Sequence, residues 1–126
     1  MPRYVILEHD WPQRHWDFML ETGAVLLTWK LTGAPKPGVD IPAEKSFDHR
    51  LMYLDYEGPI SGDRGSVSRW DGGTFETLIE QENRRVIRLV GKRLQGLVEL
   101  VNHPETGWKF IFSVTEQDFP RRDQSA

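Results

Sequence analysis

The sequence contains no cysteine and no long apolar stretch, and both absences narrow the classes of protein that it can encode. Without cysteine the chain has no disulfide, no cysteine-ligated zinc and no thiol nucleophile. Uninterrupted apolar runs reach only four residues, as in Ala24–Leu27, whereas a membrane-spanning helix needs about 20. Excess charge is missing too, because 16 basic residues oppose 19 acidic ones. We therefore expect a cytoplasmic protein without a membrane span, in which any anion site is built locally.

Familiar catalytic signatures are also missing from the sequence. It has no Gly-x-Ser-x-Gly nucleophile elbow, no phosphate-binding glycine loop and no dinucleotide fingerprint. Serine-nucleophile and nucleotide-cofactor chemistry therefore find little support.

Short apolar segments separated by glycine and proline make up most of the chain. Eleven glycines and eight prolines punctuate it, and no segment keeps a 3.6-residue apolar period over a helical length. Eight segments have the character and spacing of strands in an antiparallel sandwich or barrel. The predicted strands are residues 3–8, 16–21, 24–31, 51–56, 65–70, 86–90, 96–101 and 108–114.

The segments between these strands carry further predictions. Asp71-Gly72-Gly73 predicts a turn, residues 33–42 a long surface loop and residues 42–46 a helical turn. Residues 76–85 fit either a short helix or a strand with a charged end. We expect a single domain over residues 1–118, followed by a flexible tail over 119–126.

Two histidines flank the loop between the first two predicted strands. If that loop joins an antiparallel pair, His9 and His15 are cross-strand neighbours with Cβ atoms about 4.5–5.5 Å apart. Asp17 points to the same face as His15, because side chains alternate along a strand. Two histidines and a carboxylate on one face predict a three-ligand site for a divalent ion. The alternative is a set of exposed polar residues, since no standard zinc spacing is present.

A second polar group surrounds the third histidine. His49 and Tyr53 are separated by an even number of positions, so their side chains would face one cavity if an extended segment begins at His49. Histidine suits proton transfer near neutral pH, and a tyrosine hydroxyl can bind an anionic oxygen. The alternative is that Asp48 caps a turn while the Tyr53 ring packs in the core.

Positive charge is concentrated in one stretch of the chain, and one tryptophan lies in the loop between the first two histidines. The cations of this stretch are Arg84, Arg85, Arg88, Lys92 and Arg93. They either follow a phosphate backbone or form a solvated face balanced by Glu80 and Glu82. The first interpretation predicts weak and strongly salt-dependent nucleic-acid binding. Trp11, in the loop, is placed to touch a ligand.

The residues around the first histidines also occur in a distinctive order: His9-Asp10, and then the block His15–Glu21. Further motifs follow: Gly23, Trp29, Asp48-His49, Tyr53, Glu57-Gly58-x-Ile60, Gly62–Gly65, Trp70–Glu76, Leu89-x-Gly91-x-Arg93-Leu94-x-Gly96 and Trp108. As an ordered set over residues 3–114, they resemble the 3′-phosphoesterase domain of the bacterial end-joining ligase, DNA ligase D.

The resemblance implies a small antiparallel β-barrel of about eight strands, with a polar groove and few short helical turns. It implies a stand-alone relative of a domain that removes a 3′-phosphate or a terminal ribonucleoside from DNA ends in non-homologous end joining. The family's divalent metal, typically manganese with zinc or another ion possible, has ligands that match His9, His15 and Asp17. Its phosphate-contacting residues match His49 and Tyr53. These two residues and His15 are the expected catalytic residues, with DNA or DNA/RNA 3′ ends and a repair ligase or polymerase as expected partners.

This chain departs from the family pattern around the phosphate. Met19 stands where the family has its main phosphate-binding arginine, and methionine cannot hold an anion. Phe47 replaces an acidic residue and Arg50 a proline, while the loop arginine is displaced by one position, to Arg14. We expect Arg14 or Arg50 to supply the phosphate contact. The alternative is a catalytically weak or inactive relative that binds DNA ends or a repair partner.

Overall fold

The computed structural model describes residues 1–114, in which nearly all regular structure is β-strand. The strands are β1 (Arg3–His9), β2 (His15–Thr22), β3 (Val25–Leu31), β4 (Asp40–Lys45), β5 (His49–Arg50), β6 (Gly58–Pro59), β7 (Ser66–Gln81), β8 (Arg84–Gly91), β9 (Gln95–His103) and β10 (Gly107–Ser113). One 3-10 turn covers Leu51–Leu54. Within residues 1–114 no helix is long and apolar enough to cross a membrane.

Eight of the strands close into an antiparallel barrel, which confirms the predicted fold class. Hydrogen-bonded neighbours follow the order β1-β2-β3-β4-β10-β9-β8-β7, and β7 pairs back onto β1. The two-residue strands β5 and β6 attach to β3 and β7 outside this ring.

Alternate side chains of the strands fill the barrel interior. The interior cluster includes Phe18, Trp29, Ile87, Leu100 and Phe110, all of which are fully buried. The rings of Phe18 and Phe110 meet edge to face, with centroids 5.2 Å apart. Burying each such side chain contributes about 1.5–3 kcal/mol. Because the interior is filled with apolar side chains, polar chemistry on β1 and β2 falls to the residues that point outward.

A second apolar layer covers the outer wall of the barrel at β1, β2, β3 and β7. Its buried members are Val5, Leu7, Met19, Leu26, Leu54 and Val67. Residues 46–65, called the covering segment below, supply Leu54 together with the partly buried Leu51, Tyr53, Tyr56 and Ile60. This stretch of wall is therefore packed on both faces.

Residues 51–56, predicted as a strand, instead begin with the 3-10 turn Leu51–Leu54. Side chains three residues apart lie on one side of a 3-10 turn, so Leu51 and Leu54 both face the barrel wall. The apolar pattern therefore reflects packing within the covering segment.

Two other predictions were also wrong. Residues 42–46 do not form a helical turn, because β4 (Asp40–Lys45) pairs with both β3 and β10. The surface loop predicted over residues 33–42 therefore ends at residue 39. Asp71-Gly72-Gly73 is not a turn, since β7 runs through it and pairs with β1 and then β8. A Cβ on Gly73 would collide with the Val90 carbonyl oxygen, so this glycine permits a close approach of β8.

The remaining predictions divide between the described residues and those outside them. Of the two alternatives for residues 76–85 the strand is confirmed, with β7 ending at Gln81 and β8 beginning at Arg84. β9 and β10 pair as an antiparallel hairpin. The tail predicted over 119–126, and the domain boundary at 118, lie outside the described residues.

Candidate metal centre

The two histidines that flank the first loop lie side by side at one end of the β1–β2 pair. His9 and His15 are register partners, with ring centroids 4.9 Å apart. Asp17 points to the same outer face of the barrel, and one ligand atom from each of the three residues lies within 4.8 Å of the others. His15 and Asp17 are buried, and His9 is partly so. Three potential metal ligands therefore converge as the strand geometry predicts.

Backbone carbonyls orient both imidazole rings. His15 Nδ1 lies 2.8 Å from the Gln13 carbonyl oxygen, and His9 Nε2 lies 2.8 Å from that of Arg64. Because a carbonyl only accepts hydrogen bonds, these two ring nitrogens carry the protons and donate. The opposite nitrogens face Asp17 Oδ2, at 3.3 Å from His15 Nε2 and 3.9 Å from His9 Nδ1. Carbonyl acceptors on the far side of the ring are the usual support of metal-ligating histidines.

The Asp17 carboxylate raises the pKa values of the nearby histidines, whereas burial lowers them. The hydrogen bond to Asp17 raises the pKa of His15 above its ordinary value, against the opposing effect of burial. Burial lowers the pKa of His49, although the nearby Asp17 carboxylate partly offsets it. His15 is therefore biased towards the imidazolium form and His49 towards the neutral form.

A cavity of about 380 Å³ lies over this cluster, between the barrel wall and the covering segment. Besides the three potential ligands, His49, Tyr53, Arg50 and Trp11 line it, so seven of the residues predicted to bind a metal or a ligand meet in one space. Two further cations line the cavity as well, Lys30 and Arg64. Sequence reasoning missed both, although Lys30 is the register partner of Asp17 across β2 and β3.

His49 is held by a hydrogen-bond chain that starts in the barrel wall. The Thr28 hydroxyl donates to the Leu26 carbonyl at 3.1 Å and can accept from His49 Nδ1 at 2.9 Å. The Phe47 carbonyl oxygen lies 3.0 Å from the same nitrogen. His49 Nε2 is therefore the nitrogen left without a proton, available to a group in the cavity.

Tyr53 is a neighbour of His49, but for a different reason from the one predicted. Their rings meet edge to face with centroids 5.7 Å apart. The prediction that both side chains lie on one face of an extended strand is wrong, because Tyr53 lies in the 3-10 turn. That turn brings the residue back over His49, and its ring also packs against the second apolar layer.

Arg14 and Met19 occupy different places relative to the phosphate contact expected of them. Arg14 forms an ion pair with Glu8 and lies over the Trp16 ring at 5.4 Å, and it is not among the described residues that line the cavity. Met19 does line the cavity, but its side chain is only 1% exposed. Arg50 is therefore the predicted substitute that the structure brings to the cavity.

The cationic stretch of β8 is divided by its ion pairs. Arg84 lies 2.8 Å from the buried Glu99, Arg85 contacts Glu80 and Arg88 contacts Glu76. Of the two carboxylates expected to balance these cations, Glu80 pairs with Arg85, whereas Arg88 pairs with Glu76 and Arg84 with the buried Glu99 in place of Glu82.

The other two cations of the stretch lie at the turn after β8. Lys92 and Arg93 line a second groove of about 610 Å³ together with Arg3 and Arg69. The Arg93 guanidinium stacks over Trp70 at 4.5 Å.

Comparison with known proteins places this chain in a family. A family model described as the DNA ligase D 3′-phosphoesterase domain matches residues 7–102. The multifunctional non-homologous end joining DNA repair protein LigD of Mycobacterium tuberculosis is 32% identical in an alignment of length 117 that covers 83% of this chain and 15% of that protein. LigD of Pseudomonas aeruginosa is 31% identical over 109 residues, covering 79% of this chain and 13% of the relative. The chain thus spans a small part of the length of these relatives, and it belongs to the DNA ligase D 3′-phosphoesterase domain family.

Proposed function

We propose that this chain is a metal-dependent phosphoesterase that removes a phosphate or a terminal ribonucleoside from the 3′ ends of DNA or DNA/RNA. The observation that carries the proposal is the convergence of His9, His15 and Asp17 at a cavity that also holds His49 and Tyr53. Membership of a 3′-phosphoesterase domain family supports the choice of reaction and substrate.

The donor set fits a divalent ion. Two imidazole nitrogens and one carboxylate oxygen are ligands that Mn²⁺ and Zn²⁺ both accept, and three protein ligands leave positions open for substrate. The carbonyls of Gln13 and Arg64 already fix which ring nitrogens face the site. Bound there, manganese or another divalent ion would supply Lewis-acid polarisation of a phosphoryl oxygen and neutralise part of its charge.

The chain's own residues supply the rest of the chemistry. Arg50 and Lys30 line the cavity and attract the phosphate dianion, and Tyr53 offers a hydroxyl donor to a phosphoryl oxygen. Because burial keeps His49 towards the neutral form, its Nε2 can accept the proton of an attacking water, while the leaving oxygen on the opposite side of the phosphorus takes a proton from solvent. Met19, Leu7 and Val67 of the second apolar layer make the barrel side of the cavity apolar.

One observation favours a second candidate function, a weakly active relative that binds DNA ends or a repair partner. Met19 points to the face of the three potential ligands and is packed in an apolar cluster, so no cation occupies that position on the wall. Turnover measurements distinguish the two candidates.

The test uses primer-templates that end in a 3′-phosphate or in one ribonucleotide, with Mn²⁺, with Zn²⁺ or with a chelator. We expect metal-dependent turnover that H15A and D17N each abolish, while H103A at the β9–β10 turn stays active. Calorimetric titration with Mn²⁺ should show one site in the wild type and in H103A, and none in H15A. Metal binding without turnover on either end would favour the weakly active relative. If the wild type shows no metal binding and no turnover, both the metal centre and the proposal are overturned.

Interaction with a repair ligase or polymerase, and a cytoplasmic location, stay predictions. Co-purification with such a partner would test the first of them.

A further inference from the structure

Two exposed aromatic side chains stand at the mouth of the cavity. Phe47 is 74% exposed and Trp11 is 42% exposed, and both line the cavity. Other large apolar side chains are exposed elsewhere in residues 1–114, among them Met52 and Leu78, but these do not line it. Aromatic exposure therefore coincides with the opening of the candidate metal centre.

Phe47 presents one face to the protein and one face to solvent. Its ring stacks on that of His49, with centroids 4.5 Å apart and planes within 14°. Since a flat ring has two faces, the face away from His49 accounts for the large exposed area. Because Phe47 and His49 both line the cavity, the exposed ring is open to a molecule bound there.

Trp11 is held at the mouth by its neighbour in the chain. Asp10 donates its backbone N–H to the Ser66 carbonyl and accepts from the Ser66 N–H through Oδ1 at 2.8 Å. Gly65 lies so close that a Cβ on it would be 2.6 Å from the Trp11 Cβ. The loop that carries Trp11 is therefore bonded to the first residue of β7 and packed against Gly65, the last residue of the covering segment.

A phosphate alone gives no reason for such a rim, because anions are bound by cations and N–H or O–H donors. A nucleobase does, since every base has an aromatic face, and stacking on Phe or Trp is largely indifferent to sequence. In a 3′-terminal nucleotide, the sugar places the base a few ångströms from the 3′-phosphate. A phosphate bound beside His49 therefore brings the terminal base to the rim.

We propose that Phe47, assisted by Trp11, is the stacking surface for the terminal nucleobase of the nucleic-acid 3′ end whose phosphate enters the cavity. This inference rests on the proposed function for the identity of the substrate. It adds that the chain selects ends that bear a base over abasic ends.

The test compares two primer-templates that differ in one group, a terminal 2-aminopurine nucleotide with a 3′-phosphate and the same end with an abasic tetrahydrofuran. We expect wild-type kcat/KM to favour the base-bearing end by about 5- to 20-fold, at the lower end of what stacking on an aromatic side chain contributes. F47A and F47L should lose that preference through KM, while F47Y keeps it. M52A, which removes an exposed apolar side chain outside the cavity, is the matched control and should behave as the wild type does.

Binding gives a second readout that does not depend on turnover. Stacking on Phe47 should quench 2-aminopurine fluorescence in the wild type and in M52A, and much less in F47A. A nucleoside 3′-monophosphate, tested alongside, shows whether a free nucleotide is accepted as well as a strand end.

Each outcome decides the inference. Equal use of both ends by the wild type overturns it, and so does a drop in F47A on both ends alike, which would mean that Phe47 only positions His49. Wild-type behaviour in F47L also overturns it, because bulk rather than an aromatic face would then suffice. If turnover is absent but quenching depends on Phe47, the proposed reaction fails while the stacking surface stands.

Discussion

Thr28 and His49 form a hydrogen bond of 2.9 Å that joins the barrel wall to the covering segment. Thr28 is fully buried on β3, and its hydroxyl is also bonded to the Leu26 carbonyl. The orientation of the histidine over the cavity therefore depends on a threonine that faces away from the barrel interior.

Replacing that threonine tests the relationship. T28V keeps the shape but removes the acceptor, so we expect a loss of about 0.5–1.5 kcal/mol in the free energy of unfolding, together with slower turnover. T32V is the matched control, because the Thr32 hydroxyl makes only an exposed 3.3 Å bond to a carbonyl. Denaturant unfolding and kcat for both variants are the measurements. Equal effects of T28V and T32V would contradict the prediction.

Burial of His49 makes stability depend on pH in a stated direction. Its folded pKa is lowered from the ordinary value of about 6.5, so below that pH the unfolded chain binds more protons and stability falls. H49Q cannot be protonated in this range. We expect the wild type to lose more stability than H49Q between pH 7.5 and 5.5, as measured by thermal unfolding in chelator. Parallel curves for the two proteins would contradict the effect of burial.

Met19 combines an apolar environment with a position on the cavity. M19R places a cation among Leu7, Leu54 and Val67, so we expect a lower melting temperature, whereas M19L should cost less than about 1.5 kcal/mol. Since residue 19 also lines the cavity, the guanidinium should raise kcat/KM on a 3′-phosphate. Turnover and melting temperature are measured on the same preparations. No gain in a folded, metal-binding M19R would mean that Arg50 already supplies the cation.

We expect an alanine at Gly65 to destabilise the protein more than an alanine at Gly23, which has a similar backbone conformation. Both Gly65 and Gly23 have positive φ, at +72° and +63°, but nothing lies within 4 Å of a Cβ on Gly23. G23A should therefore cost about 1 kcal/mol from the backbone alone. G65A adds a collision with Asp10 and Trp11, so it should cost more and also weaken Mn²⁺ binding by moving the first loop. Similar costs for both variants would show that the loop yields without penalty.

The cations of β8 and of the turn that follows it should differ in their effect on DNA binding. Reversing the charge of Lys92 and Arg93, which line the second groove, should reduce the affinity for DNA. It should also make the negative slope of log K against log salt shallower by up to about 2. Reversing Arg85 and Arg88 should change the slope less, because each has a carboxylate partner in the folded chain. Titrations of fluorescent DNA at several salt concentrations decide between them. A larger effect of the β8 pair would place the DNA path along that strand.

Residue identity and strand alternation were enough to predict part of this molecule. The pairing of His9 with His15, and the orientation of Asp17, follow from a two-residue period and a short loop. The all-β class follows from the spacing of apolar segments. The resemblance to a known family selected the barrel over the sandwich and added the expected phosphate contact of His49 and Tyr53, neither of which periodicity alone establishes.

Other features depend on contacts between distant segments. The 3-10 turn at Leu51–Leu54 forms because a second apolar layer packs on the barrel wall, and a local pattern does not reveal which wall that is. Lys30 enters the cavity through its register with Asp17, which requires the β2–β3 alignment. The ion pair of Arg84 with buried Glu99 depends on the β8–β9 pairing in the same way.

The apolar core fills the inside of the barrel, whereas the candidate site lies on the outer surface of the same strands. The barrel interior holds Phe18, Trp29 and Phe110, while residues 46–65 supply Phe47, His49, Arg50 and Tyr53 to the outer cavity. A substitution at a residue of the covering segment that lines the cavity can change which end-group fits without disturbing the closed ring of strands. Such an architecture leaves substrate preference free to diverge between related chains that all inherit one barrel.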